Sequence, residues 1–246
     1  MGRKINKMNE DALKIKTVIL CGGMGTRLRE ETEFKPKPLV DIGGKPILWH
    51  IMKIYAAFGY KDFALALGYK GEQIESHFSK NQEDFNITFV NTGLETPHGE
   101  RVLKMKPFIK EDIFMTTYGD GVSDIDIAKL VAFHKSHGKM ATITGVHPIS
   151  RWGLLNSNQN NVITEFAEKP MLYDYINGGF MVLNKEFFDF LKPGDNIEHG
   201  LARLIPNQQL MLYKHEGFWY GMDTYRDFLH LNELWEKGPK WKIWQD

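Results

Sequence analysis

Residues 18–38 read VILCGGMGTRLREETEFKPKP, and this stretch decides the fold. Thr17-Val18-Ile19-Leu20 is a short apolar, β-branched run, the pattern of a buried strand. It stops at Gly22-Gly23, and Met24-Gly25-Thr26-Arg27 follows. Gly22, Gly23 and Gly25 let the backbone approach a ligand closely and turn N–H groups toward an anion. Arg27 adds a planar, permanently charged donor fork suited to phosphate. Lys35 and Lys37 stand on a proline-stiffened segment, Lys35-Pro36-Lys37-Pro38. A strand, a phosphate cradle, an arginine and two lysines thus fall within 21 residues.

Of two better-known phosphate motifs, one fails here and the other matches weakly. A P-loop needs G-x-x-x-x-G-K-[ST]; Pro46 follows the only Gly-Lys before position 50, Gly44-Lys45. A dinucleotide fingerprint needs G-x-G-x-x-G; Gly23-Met24-Gly25-Thr26-Arg27 is followed by Leu28 where the third small residue belongs. A flexible glycine turn with solvated basic residues is the plain alternative. Arg27 and Lys37 in train weigh against it.

The chain has 246 residues, enough for one domain with a sizeable core. Its 31 acidic residues balance 31 basic ones, so the basic excess of a general nucleic-acid binder is missing. Cys21 is the only cysteine. That excludes an internal disulfide and a multi-thiolate zinc site, and at the end of the first strand it reads as a small buried thiol. No run of 18 apolar residues occurs, so no membrane span is expected. Residues 1–16, MGRKINKMNEDALKIK, are polar with no apolar signal core, and read as a short helix or frayed arm. Residues 17–246 are then expected to form one domain in a cytoplasmic protein.

Outward from the glycine loop, Pro46 opens an amphipathic helix over 47–58, closed by Gly59. Residues 63–67 form a strand, 72–78 a helix and 87–90 a strand. This alternation predicts an α/β fold with a doubly wound, mostly parallel sheet, helices on both faces, and ligands beyond the carboxyl ends of the strands. Residues 91–110 read as a loop carrying Gly93, Pro97-His98-Gly99 and Arg101. The strand 113–118 ends in Gly119-Asp120-Gly121. Asp120 there is either a turn residue or well placed for Mg²⁺, which takes one or two carboxylates plus phosphate oxygens and water. Asp124 and Asp126 read as capping and first-turn charges of the next helix.

Residues 141–146 form a strand and 162–166 an edge strand leading into Glu168-Lys169-Pro170, which on its own reads as a solvated turn. Ile176-Asn177-Gly178-Gly179 opens the strand 180–183, where Asn177 offers a donor and an acceptor. Residues 198–205 give a helix and its approach, and 210–214 a strand. Asp223 precedes the helix 225–234; its plain reading is an N-cap, for which Thr224 competes. Trp235, Trp241 and Trp244 read as packing or interface residues. No Ser-His-Asp or Cys-His set stands out, and the nine histidines contain no H-E-x-x-H.

GGMGTRL followed by KPKP resembles the signature loop of the nucleotide-sugar pyrophosphorylases, nucleotidyltransferases that join a sugar 1-phosphate to a nucleoside triphosphate. The longer string, with residues 45–55, 118–122, 176–180, 217–219 and 234–238, is most similar to the members that cytidylylate glucose 1-phosphate. The likeness covers nearly the whole chain after Lys16. It implies a Rossmann-like mixed sheet of the nucleotide-diphospho-sugar transferase type, CTP and a small phosphorylated acceptor as substrates, Mg²⁺ as cofactor, and a homo-oligomer active in surface-polysaccharide or capsule synthesis. Carried over position by position, it makes Arg27 and Lys37 catalytic. It gives the nucleotide Leu20, Gly22, Gly23, Gly25, Thr26, Gly99 and Asp120. It gives the metal Asp120 and Asp223. The acceptor, in a part spanning roughly 140–225, receives Gly153, Glu168, Lys169, Asn177 and Gly178, with Glu168 on a sugar hydroxyl and Lys169 on its phosphate.

The chain departs from that pattern in one place. The cytidylyltransferases carry a longer insertion between the helix 72–78 and the strand 87–90, and this chain lacks most of it. The acceptor therefore stays open between glucose 1-phosphate and a non-sugar phosphate such as phosphoglutamine, used in capsular phosphoramidate synthesis. A catalytically silent nucleotide-binding regulator is a third reading, against which Arg27, Lys37, Asp120 and Asp223 are all present.

Overall fold

The computed structural model describes residues 15–80 and 83–245. The arm expected over 1–16 lies outside them except for its last two residues. Seven strands form the central sheet: β1 Thr17–Cys21, β2 Asp62–Leu67, β3 Asn86–Asn91, β4 Ile113–Tyr118, β5 Ala141–Val146, β6 Ile176–Asn184 and β7 Leu210–His215. Their spatial order is β7-β5-β6-β4-β1-β2-β3. All pairings are parallel except those of β6, which runs antiparallel to β4 and β5. The expected mixed, mostly parallel sheet is the observed one, and β6 is the strand that makes it mixed.

Apolar residues on both faces explain why the sheet is covered on both sides. Ile19 and Cys21 of β1 point into one core, Val18 and Leu20 into the other. The first core takes the helix Ile47–Ala56 together with Leu231 and Trp241; the second takes the helices His98–Lys104 and Ile197–Leu204. Trp241 and Trp244 are buried, so these two tryptophans pack inward.

The sheet places the site. From β1 the chain winds outward to β2 and β3 on one side, while β4 lies on the other. The crevice at such a reversal, beyond the strands' carboxyl ends, is where a doubly wound sheet takes ligands. Gly22–Arg27 leaves β1 there, and Gly119-Asp120 leaves β4.

Three expectations need correcting. The segment 91–110 is not all loop: His98–Lys104 is helical, followed by a short 3-10 turn at Lys106–Phe108. Pro97 sets the entry φ at −63°, and Gly99, a poor helix former, masks the start. The edge strand expected over 162–166 is Ile163–Ala167, and it pairs with Leu154–Ser157 in a separate two-stranded ribbon instead of joining the main sheet. The helix expected over 47–58 ends at Ala56, with Gly59 at φ 86° closing the turn beyond it.

Candidate active site

A pocket at the crevice is lined by the glycine loop, Arg27, Lys37, His98, Tyr118, Asp120 and Asp223. Asp120 and Asp223 are far apart in the sequence, and the backbone brings them together. Gly121–Ser123 pairs antiparallel with Trp219–Gly221, and Met222 N–H donates to the Asp120 carbonyl at 2.8 Å. Gly119 leaves β4 so close to β1 that a Cβ there would stand 2.9 Å from the Leu20 carbonyl oxygen.

Asp223 is freed from capping duty. Thr224 caps the helix Tyr225–Lys237, and Asp227 closes a capping box with it. The Asp227 carboxylate also accepts the Asp223 N–H at 3.1 Å. Asp126 likewise caps its helix by accepting the Lys129 N–H. Asp124 does not cap: it accepts the Phe218 N–H at 2.8 Å and faces His215.

Lys37 enters from the 3-10 turn Lys37–Leu39, whose start is fixed by Pro36 and Pro38. Its Nζ lies 2.6 Å from Asp120 Oδ2 and 3.1 Å from Asp223 Oδ1. Arg27 reaches Asp223 with both guanidinium nitrogens, at 3.0 and 3.2 Å. Arg151 approaches the same carboxylate at 3.6 Å. Three cationic heads against two carboxylates leave the cluster positive, as binding of a polyanion requires. The Arg27 side chain is 68% exposed, so it can turn toward a ligand. Lys35, by contrast, pairs with Asp41 at 3.1 Å and stays out of the cluster.

The two carboxylates fit a divalent cation. Both already converge on one positive charge; among the described residues no group of three or more His, Cys, Asp or Glu is placed to hold a metal ion. Mg²⁺ suits such a pair because it keeps water and phosphate oxygens in its remaining positions.

The glycines divide by role. Gly23 lines the pocket and is open: a Cβ added there would meet nothing within 4 Å. Gly25, at φ 64°, turns the chain, and its carbonyl accepts from Leu28 N–H and the Thr32 hydroxyl. Gly22 faces the other way, where a Cβ would fall 2.1 Å from Arg101 Nη1. Leu20 and Thr26 line the pocket. Cys21 stands beneath it, and burial pushes its thiol up, away from a thiolate.

None of the residues assigned to the acceptor lines the pocket. Asn177 reaches it through Tyr118, its Nδ2 3.4 Å from the phenol oxygen. The Gly178 carbonyl accepts from Trp219 Nε1 at 2.8 Å. Glu168 and Lys169 pair with each other at 3.2 Å beyond the exposed ribbon, and a Cβ on Gly153 would lie 3.1 Å from Glu168 Oε2. Gly99 is buried against the Asp195-Asn196 backbone and does not line the pocket.

Sequence reading missed His98, Tyr118 and Glu198. Tyr118 donates to Glu198 Oε1 at 2.7 Å, and burial with that carboxylate raises its phenol well above the ordinary value. His98 lies 5.5 Å from the Tyr118 ring, and burial lowers its pKa. Pro97 beside a histidine in a supposed loop was the available signal.

The nucleotidyl transferase family model matches residues 16–238. The chain is 43% identical over 258 residues to the glucose-1-phosphate cytidylyltransferase of Salmonella typhi, with 94% of this chain and all of that enzyme covered. It is 32% identical over 248 residues to the mannose-1-phosphate guanyltransferase of Candida albicans, covering 92% of this chain and 67% of that one. Among solved structures, HddC from Yersinia pseudotuberculosis superposes with TM-score 0.69 at 24% identity over 90% of this chain and 99% of that one. A Bacillus anthracis structure superposes with TM-score 0.73 at 21% identity, over 94% and 97%.

Proposed function

The chain belongs to the nucleotidyl transferase family, and from that membership we propose that it transfers CMP from CTP to glucose 1-phosphate, releasing pyrophosphate and forming CDP-glucose. The observation that carries this reading is the convergence of Lys37, Arg27, Asp120 and Asp223 at the carboxyl ends of β1 and β4.

The chemistry asks for positioning and charge neutralisation. A phosphate oxygen of the acceptor attacks the α-phosphorus, the new P–O bond forms as the bond to the β-phosphate oxygen breaks, and pyrophosphate departs in line. A phosphate oxygen carries its own charge, so no side-chain nucleophile is needed. The N–H groups of Gly23–Thr26 face the triphosphate. Lys37 bridges the α-phosphate and the attacking phosphate, where negative charge crowds. Arg27 leaves Asp223 for the departing pyrophosphate. Asp120 and Asp223 would hold Mg²⁺, which when bound supplies neutralisation at phosphate oxygens. Glu168, Lys169, Asn177 and Gly178, within residues 140–225, receive the acceptor.

A second reading keeps the chemistry and changes the acceptor to an amino-acid phosphate such as phosphoglutamine. It is favoured by the short connection from the helix Gly71–Lys80 to β3 at Asn86, where the resembling enzymes carry more chain.

We also place the reaction in the cytoplasm, in surface-polysaccharide or capsule synthesis; among the described residues no helix is long and apolar enough to cross a membrane. Homo-oligomer formation through the exposed ribbon fits Trp152, Phe166 and Tyr173, which are 75%, 65% and 95% exposed. Apolar patches of that kind mark interaction surfaces.

Pyrophosphate release measured with CTP, UTP, dTTP and GTP in turn, each with glucose 1-phosphate, tests the base. Preference for CTP supports the proposal, and preference for another nucleotide overturns it.

A further inference from the structure

Residues 147–175 leave the sheet at the end of β5 and return at the start of β6. This arm carries the exposed ribbon and, in the proposed reaction, Gly153, Glu168 and Lys169 for the acceptor. It has no core of its own: from Arg151 to Ile176 no residue is buried. Its two halves are joined to each other near the base. Ser150 N–H donates to the Pro170 carbonyl at 2.8 Å, and Leu172 N–H to the Pro148 carbonyl at 2.9 Å. These bonds close the arm on itself and leave its angle to the sheet open.

One side chain on the neighbouring strand end holds both roots. Glu216 follows β7, His147 is the first residue after β5, and Tyr175 is the last before β6. Glu216 Oε2 accepts from His147 Nε2 at 3.1 Å, and Oε1 accepts from the Tyr175 hydroxyl. An ionised carboxylate has an acceptor for each donor, and the Tyr175 hydroxyl holds the Glu216 carboxyl below its ordinary value. The two roots also touch: the His147 and Tyr175 ring centroids are 4.3 Å apart. Gly145 makes room for them, since a Cβ there would lie 3.1 Å from Tyr175 Cβ.

Glu216 stands on a fixed mount. His215 before it lies 2.9 Å from Asp124 Oδ1 through Nε2, and Phe218 after it donates its N–H to the same oxygen at 2.8 Å. The chain then pairs with Gly121–Ser123 and runs on to Asp223. Among the described residues, the remaining side-chain hydrogen bond or ion pair from the arm to the rest of the domain is Arg151, 3.6 Å from Asp223.

We propose that Glu216 is a positioning residue for the acceptor: it clasps both roots of the arm and sets the angle at which Gly153, Glu168 and Lys169 are presented to the crevice. The inference rests on the nucleotidyl-transfer reading for the identity of the acceptor; the clasp itself does not. Small misplacements far from the reacting atoms are costly, because transfer depends on how the two substrates are aligned. The Glu216 side chain is 64% exposed, so its bonds add little to global stability. Its loss is read in the arm and in the acceptor, and not in Tm. The nucleotide is bound by other residues, so the effect falls on one substrate.

The test compares Glu216→Ala, Tyr175→Phe and the double variant with the wild type. KM for glucose 1-phosphate and for CTP, kcat, Tm and amide hydrogen exchange along the chain are measured on each. In Glu216→Ala, KM for glucose 1-phosphate rises on the order of 10-fold while KM for CTP stays within about 3-fold, as expected for losing charge-assisted bonds that serve one substrate. Exchange quickens over residues 148–174 and stays as it was in β1, β2 and β4. Tm stays within about 2 °C. Tyr175→Phe keeps the ring and the His147 bond, and shows the same pattern at smaller size. The double variant costs little more than Glu216→Ala, because both changes remove the same bond. A wild-type KM for glucose 1-phosphate in Glu216→Ala overturns the proposal, as do equal rises in both KM values, exchange that quickens evenly over the whole sheet, or additive losses in the double variant. If the wild type itself does not turn over, the transfer reading fails and exchange alone decides the clasp: faster exchange confined to 148–174 in Glu216→Ala supports it, and unchanged exchange there overturns it.

Discussion

Lys37 and Asp120 meet at 2.6 Å across the crevice, and the same ammonium touches Asp223 at 3.1 Å. One residue comes from the turn after the glycine loop and the other from the end of β4. The lysine side chain is 12% exposed, so it is already oriented into the place where the proposed reaction brings two phosphates together.

Replacing Lys37 by Met should therefore cost catalysis more than folding. The expected loss in kcat is on the order of 10²- to 10³-fold, the usual cost of removing one group that stabilises developing charge. Tm should change little, because the two carboxylates left behind are 35% and 30% exposed and Asp223 keeps Arg27. Steady-state kinetics and a melting curve on the same preparation check both halves.

Asp120→Asn and Asp223→Asn should each raise the Mg²⁺ concentration needed for half-maximal rate, by on the order of tenfold, and chelation should abolish turnover in the wild type. Titration of activity against Mg²⁺ reads this directly. Wild-type rates in excess chelator would remove the metal from the account.

Two neighbouring glycines should respond in opposite ways. Gly22→Ala forces a Cβ to within 2.1 Å of the Arg101 guanidinium, so it should destabilise the protein by about 1–3 kcal/mol. Gly23→Ala meets no protein atom; it should leave Tm unchanged and raise KM for CTP. Equal Tm for the two variants would contradict the assignment of their faces.

Stability should fall with acid through His50. The ring is fully buried, Nε2 donates to the Ile42 carbonyl at 2.8 Å, and burial lowers its pKa from 6.5 to about 4. A base with a lowered folded pKa takes up its proton in the unfolded chain first. The stabilisation is full above pH 6.5 and is lost as pH falls from 6.5 toward 4, by about 3 kcal/mol. His98 and His134 are shifted the same way by burial and add to the slope. The His50→Gln variant should lose close to one proton of that pH dependence between about pH 7 and 4, measured by denaturant titration.

Much of this site is local in the sequence, and that part was legible. The strand, the glycines, Arg27 and Lys37 lie within one 21-residue stretch, and Gly119-Asp120-Gly121 punctuates a strand end. The sequence set Thr224 against Asp223 as the helix cap, and the structure gives the cap to Thr224. What could not be read depends on contacts between distant strands. Arg101 looked like a loop cation because its five acceptors are backbone oxygens and a hydroxyl on three strand ends. The ribbon of Leu154–Ser157 and Ile163–Ala167 looked like a sheet edge because alternation does not say which partner a strand will choose.

Pyrophosphate release with CTP and Mg²⁺, run in parallel with glucose 1-phosphate and with phosphoglutamine, tests the central claim most directly. The account predicts rapid release with glucose 1-phosphate that disappears in Lys37→Met. Release with phosphoglutamine alone would contradict the assigned acceptor, and no release with either would contradict the reading of the cluster as a nucleotidyl-transfer site.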